Sequence, residues 1–157
     1  MKSLERLYAR RYPTAGGYSL DQARELAALS RSLSRQVAVV LDRQGRVFMV
    51  LVGDAASITI PELPGRTGGG RLRGLRLMHT HLSGEPLTQE DLMDLLFLRL
   101  DSLGVLDVDP LGLPRTFSLA HLAPPDASGR AYRVLGPLDW DKVDVDFAAL
   151  TTDLEDE

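Results

Sequence analysis

A stretch of helical period followed at once by two runs of β-branched residues leaves this chain few folds to choose from. Ala23, Leu26, Ala27, Leu29 and Leu33 recur mostly at the spacing of an amphipathic helix, predicted over Leu20–Ser34 with Ser19 as its cap. Val37–Leu41 and Arg46–Val52 then read as strands joined through Asp42-Arg43-Gln44-Gly45, where Gly45 allows a tight turn. Ser57–Ile60 reads as a third short strand stopped by Pro61, and Leu75–Thr80 as a buried strand running into His79-Thr80-His81. Thr88 is placed to cap a helix from Gln89 to Leu103, with Asp91 as its capping-box partner and Gly104 as its stop. Strands near Val105–Val108, Thr116–Leu122 and Arg130–Leu135 follow. Interleaved helices and strands of this kind predict the α/β class, a mixed β-sheet flanked by helices.

With 157 residues and 44% hydrophobic composition, the chain is long enough to bury a core without covalent staples. It needs to, because it has no cysteine, which excludes disulfides and cysteine-ligated zinc or iron–sulfur centres. The opening MKSLERLYARRYP lacks the apolar segment of a signal peptide. Apolar runs such as Val47–Val52 and Leu95–Leu98 fall far short of a membrane span, so the cytoplasm is the expected compartment. Pro124-Pro125 marks the expected division between an α/β domain over 1–123 and a segment over 124–157 holding a late strand and the start of an acidic helix at Asp141–Leu154.

Charge is unevenly placed. Arginines gather near the front and again at Arg66, Arg71, Arg73 and Arg76, whereas the last twenty residues are acidic. Solvated helix faces and a surface loop explain the arginines more simply than an RNA partner, and the scattered aromatics form no stacking platform. An RNA-binding domain therefore stands as the weakest functional reading, and nothing suggests DNA. The glycine-rich loop Pro64–Gly74 is not a nucleotide-binding P-loop: no lysine followed by Ser or Thr closes it, and no helix follows. Ser83 has no nucleophile elbow around it.

The most informative stretch is HTHLSGEPLTQED, His79 to Asp91. Histidines at i and i+2 on a strand share a face, roughly 7 Å apart at Cα. Two imidazoles so placed, with a carboxylate from the start of the next helix, make a three-ligand zinc set of His79, His81 and Asp91 with a fourth position for water. Asp91 has a structural alternative as the N3 partner of Thr88, and His121, on the apolar run SLAHLA, reads as a core or edge histidine.

This stretch resembles the metal-binding motif of the JAMM (MPN) metalloprotease fold, especially its bacterial RadC-like version, in which His-x-His ends a strand and Ser-x-x-Asp opens a helix. The resemblance covers about Leu20 to Leu122, since a helix and a strand hairpin precede the motif in the same order. It implies a cytidine-deaminase-like architecture and a zinc site. It also implies that Gln36 occupies the place of the family's general-base glutamate, and an amide cannot take a proton from water. The loop to Asp91 is one residue shorter than the family's, Leu82 replaces a proline, and Thr88 replaces the serine. A zinc-dependent hydrolase is the alternative reading, with Glu62 or Glu85 as substitute base.

Taken whole, the chain resembles the N-terminal extension of some bacterial HflX-type GTPases. The segments carrying this are LERLYARRYP, SRQVAVVLDRQGRVFMVLVGD, GRLRGLRLMHTHLSGEPLTQEDLMDLLFLRLD and YRVLGPLDWDKVDVDFAAL. It implies an accessory or regulatory domain, itself non-catalytic, of a cytoplasmic GTPase that uses GTP and magnesium and associates with the large ribosomal subunit. The nucleotide and magnesium ligands would lie in a GTPase region beyond residue 157, which would be this domain's partner along with the ribosome.

Overall fold

The protein is described by a computed structural model over residues 20–42, 44, 46–58, 60 and 74–139. Arg6, Arg10 and Arg11, the Arg66–Arg73 cluster, Glu62 and the Asp141–Leu154 segment lie outside the described residues, as do Ser19 and Gly45.

Two helices and six strands follow one another as α1 (Leu20–Leu33), β1 (Val37–Leu41), β2 (Val47–Val52), β3 (Arg76–His81), α2 (Gln89–Leu98), β4 (Ser102–Val108), β5 (Pro114–Leu122) and β6 (Tyr132–Asp139). The strands form one mixed sheet in the order β2-β1-β3-β4-β5-β6. Neighbours run antiparallel except β3 and β4, which are parallel. A parallel pair needs a crossover, and α2 provides it. The α/β class with a mixed sheet and flanking helices is therefore what the chain adopts.

Each face of the sheet buries one helix. Ala23, Leu26, Ala27 and Leu29 of α1 pack against Val37, Val39, Met78, Leu106 and Phe117 on one side. Leu95 and Leu98 of α2 pack against Ala38, Val40, Leu77, Leu103 and Val105 on the other. β1 and β4, covered on both faces, are buried at every position; β1 accordingly reads as an unbroken apolar run, and β4 as an apolar run interrupted by Ser102 and Asp107. Arg31 ties α1 to the end of β4 by donating to the carbonyls of Asp109 and Val108 at 3.0 and 3.1 Å.

Local chemistry sets the element ends. α1 stops one residue before its expected end, where Ser34 turns to φ 53°. Asp42 accepts from Gln44 N and Arg46 N at 2.9 and 3.0 Å, closing the β1–β2 turn. The helix expected to run to Leu103 ends at Leu98, because Arg99 takes the left-handed conformation at φ 58°, ψ 38°. The residues beyond it begin β4, and Gly104 lies mid-strand instead of stopping a helix. An apolar run buried on both faces has no period by which to tell helix from strand, hence the difference. Ser57, Ile58 and Ile60 form no strand. Asp54 accepts from Ala56 N and Ser57 N at 2.8 Å each, turning the chain so that Ile58 and Ile60 pack onto the α2-side core. Beyond Pro124-Pro125 the chain returns to the same sheet, with β6 pairing along β5.

Candidate metal centre

β3 delivers two histidines to one place because its residues alternate between faces. Leu77, His79 and His81 face α2, while Met78 and Thr80 face α1. Thr80 Oγ1 accepts Val37 N–H at 3.0 Å and meets Ser30 Oγ at 2.7 Å. The threonine between the histidines thus holds the start of β1, where Gln36 sits, against the far side of β3. The first turn of α2 comes back over the end of β3 as the crossover requires, bringing Asp91 to the histidines.

All three side chains are buried: His79 is 3% exposed, His81 5% and Asp91 6%. One ligand atom from each lies within 4.8 Å of the others. His79 Nε2 stands 2.9 Å from Asp91 Oδ1, and His81 Nε2 stands 3.5 Å from Oδ2. The imidazoles meet edge to face, with centroids 4.8 Å apart and planes at 71°. The structure brings His79, His81 and Asp91 together. The capping box is present as well: Thr88 Oγ1 accepts Asp91 N–H at 3.2 Å, and Asp91 Oδ2 accepts Thr88 N–H at 2.9 Å. Asp91 therefore fills the capping role with one carboxylate oxygen and keeps the other against His79.

The two imidazoles are held differently. His81 Nδ1 lies 2.7 Å from the Glu85 carbonyl oxygen. A carbonyl only accepts, so Nδ1 carries a proton, and in the neutral ring Nε2 is a bare lone pair. That lone pair faces a carboxylate oxygen across 3.5 Å, two acceptors with no hydrogen of the neutral pair between them. A cation in the gap relieves the opposition. The gap also matches the roughly 3.4 Å edge of a tetrahedron built on zinc–ligand bonds of about 2.1 Å. Metal-binding histidines characteristically donate their other ring N–H to a carbonyl or carboxylate, as His81 does. His79 Nδ1, by contrast, is buried with no hydrogen-bond partner among the described residues. The donor set fits a small divalent cation.

Burial works to raise the Asp91 carboxyl, but the hydrogen bond from His79, the Thr88 N–H and the charges that His79 and His81 carry when protonated outweigh it and hold the group below its ordinary value. Asp94, one turn further along α2, is pushed up by burial and by the charge of Asp91. Both line a cavity of about 360 Å³ that also contains Gln36, Ser57, Glu85 and Glu90. Gln36 is buried and shares this wall with the histidines, where it offers an amide, while Glu85, Glu90 and Asp94 are the other carboxylates of the lining. Glu85 is in the wall too, though its contact with His81 is through its backbone carbonyl. His121 lies on β5, two strands from β3, outside the cluster.

The sequence reading missed Asp107. It is 3% exposed at the end of β4, opposite His81 in the parallel register, and accepts from Gly84 N at 3.1 Å. Its signal was present: an acid at the end of the apolar run Val105–Val108 is seldom buried without a purpose.

Among the described residues no helix is long and apolar enough to cross a membrane. No protein-family model matches the sequence, and no curated protein matches it. Among solved structures, the chain is similar to a solution structure of a protein from Salinibacter ruber. The two are 14% identical, the match covers 78% of this chain and 90% of that one, and the TM-score is 0.40.

Proposed function

We propose that this domain is a JAMM-like, metal-holding module without hydrolase activity, serving as the accessory domain of an HflX-type, ribosome-associated GTPase. The observation that carries the metal half is the orientation of His81: its Nδ1–H is committed to the Glu85 carbonyl and its Nε2 faces the Asp91 carboxylate without a hydrogen between them in the neutral ring. His79 Nε2, His81 Nε2 and an oxygen of Asp91 would hold the ion. A zinc ion at such a position lowers the pKa of bound water towards neutrality. What the chain's own residues then lack is a proton acceptor at the start of β1, where Gln36 offers only an amide. That substitution favours a structural or regulatory role over the zinc-hydrolase alternative.

The accessory role is supported by the segments that resemble HflX-type extensions, which span most of the chain. GTP and magnesium would be bound by the GTPase region of such a protein, and the arginines of the Arg66–Arg76 stretch would suit contact with the large ribosomal subunit.

Metal analysis of protein purified without chelator, with calorimetric zinc titration of wild type and His81→Ala, tests the metal half. One zinc per chain, lost in His81→Ala, is expected; a wild type that takes up no divalent metal overturns it. Zinc-dependent cleavage of a lysine isopeptide by the wild type would overturn the non-hydrolytic part. Co-sedimentation with the large ribosomal subunit across a salt series tests the accessory role, and absence of pelleting at low salt counts against it.

A further inference from the structure

One buried charge near the metal centre has no part in ligating it. Asp107 is the penultimate residue of β4, which is already paired by backbone hydrogen bonds to β3 and β5. Placing a carboxylate there is unfavourable unless its oxygens are satisfied. They are satisfied in a particular way. Oδ1 accepts the Gly84 N–H at 3.1 Å, and Oδ2 stands 3.1 Å from Arg115 Nε, on a side chain that is half exposed. Gly84 sits at φ +82°, a conformation that suits glycine, so the turn after His81 passes close to the end of β4. One residue further, the Glu85 carbonyl takes the His81 Nδ1–H at 2.7 Å.

The geometry points to Asp107 as a positioning residue for His81. By anchoring the turn at Gly84 it holds the Glu85 carbonyl in place, and that carbonyl fixes His81 as the Nδ1–H tautomer with Nε2 aimed at the metal position. This rests on the metal reading for its purpose, but the tautomer it assigns is a property of the metal-free protein. Asp107 touches neither the ion's position nor the other two ligands. Its influence runs through one backbone N–H and one backbone carbonyl. Outer partners of metal-binding histidines typically govern affinity by about 10–100-fold.

The test uses the full chain, ¹⁵N-labelled, with long-range ¹H–¹⁵N spectra to read imidazole tautomers and calorimetry to read zinc affinity. Metal-free wild type is expected to show His81 protonated at Nδ1 when neutral. Asp107→Ala should mix the His81 tautomers and weaken zinc by about 10–100-fold. Asp107→Asn, whose amide oxygen still accepts from Gly84, should restore the tautomer and most of the affinity. If Asp107→Ala does not fold, Gly84→Ala decides: a Cβ there meets nothing within 4 Å, so it strains the turn without a clash and should shift the tautomer the same way. A folded Asp107→Ala, or Gly84→Ala in its place, that keeps the wild-type tautomer overturns the proposal. The two readings fail separately. A wild type with the assigned tautomer and no zinc affinity removes the metal centre only, whereas zinc binding with an unchanged tautomer in the variants removes only the role of Asp107.

Discussion

Asp91 carries two loads that a pair of substitutions can separate. Its Oδ2 accepts the Thr88 N–H as half of a capping box, and its Oδ1 faces His79 Nε2 at 2.9 Å. Thr88→Ala removes the hydroxyl that accepts Asp91 N–H and leaves the carboxylate where it is. Loss of an N-cap costs about 1 kcal/mol, a shift in melting temperature of about 2–4 °C for a domain of this size. Asp91→Asn keeps an oxygen for the Thr88 N–H but discards the charge and presents an NH₂ group to one histidine. Replacing a charge-assisted hydrogen bond by a neutral one costs a comparable 1–2 kcal/mol or so. Thermal denaturation in chelator therefore should not tell the two variants apart by much.

Zinc binding should. Thr88 is no ligand, so Thr88→Ala is expected to bind within about threefold of wild type, even if its helix start loosens slightly. Asp91→Asn loses one of three protein ligands. Changes to outer partners already cost 10–100-fold, so a loss of at least about 100-fold is expected, or about 2.8 kcal/mol of binding free energy. Competition against a chromophoric chelator covers this range. Equal zinc affinity in the two variants would refute the reasoning, because it would reduce Asp91 to a helix cap. An equally severe loss in Thr88→Ala would also refute it, by making the site a by-product of helix stability.

Two other outcomes follow from the same structure. A Cβ at Gly104 would lie 3.1 Å from Phe117 Cε2 and 3.3 Å from Cζ, so Gly104→Ala overpacks the core and should cost about 1–2 kcal/mol in urea denaturation; a neutral result would mean that the Phe117 ring gives way freely. The Ser128 hydroxyl and the Arg130 and Ser128 N–H groups hold the Asp126 carboxyl down at about 2. A folded value depressed below the unfolded one contributes stability above about pH 4 that is lost as pH falls through the folded value. Asp126→Asn should thus lower the urea midpoint at pH 7 and converge on wild type near and below pH 2; a gap that stays constant with pH would contradict this.

Much of this protein follows from short-range pattern. The period of Ala23–Leu33, the β-branched runs at Val37 and Val47, and the Thr88/Asp91 capping box each act within a few residues, so one chain suffices to read them. The trio His79, His81 and Asp91 was legible for the same reason, since i, i+2 spacing on a strand and a cap on the next helix place all three.

The tertiary structure decided what depends on distant partners. The end of α2 at Arg99 and the start of β4 at Ser102 follow from burial on both faces of the sheet, which erases the period that would separate helix from strand. Ile58 and Ile60 serve packing instead of a strand because the Asp54 turn redirects the chain. Asp107 gained its role only when parallel pairing set β4 beside β3 and brought the acid under the turn that follows His81. A sequence specifies which groups can donate, accept or ligate. Which of them face each other across 3 Å is settled by strand order, and strand order is a property of the packed chain.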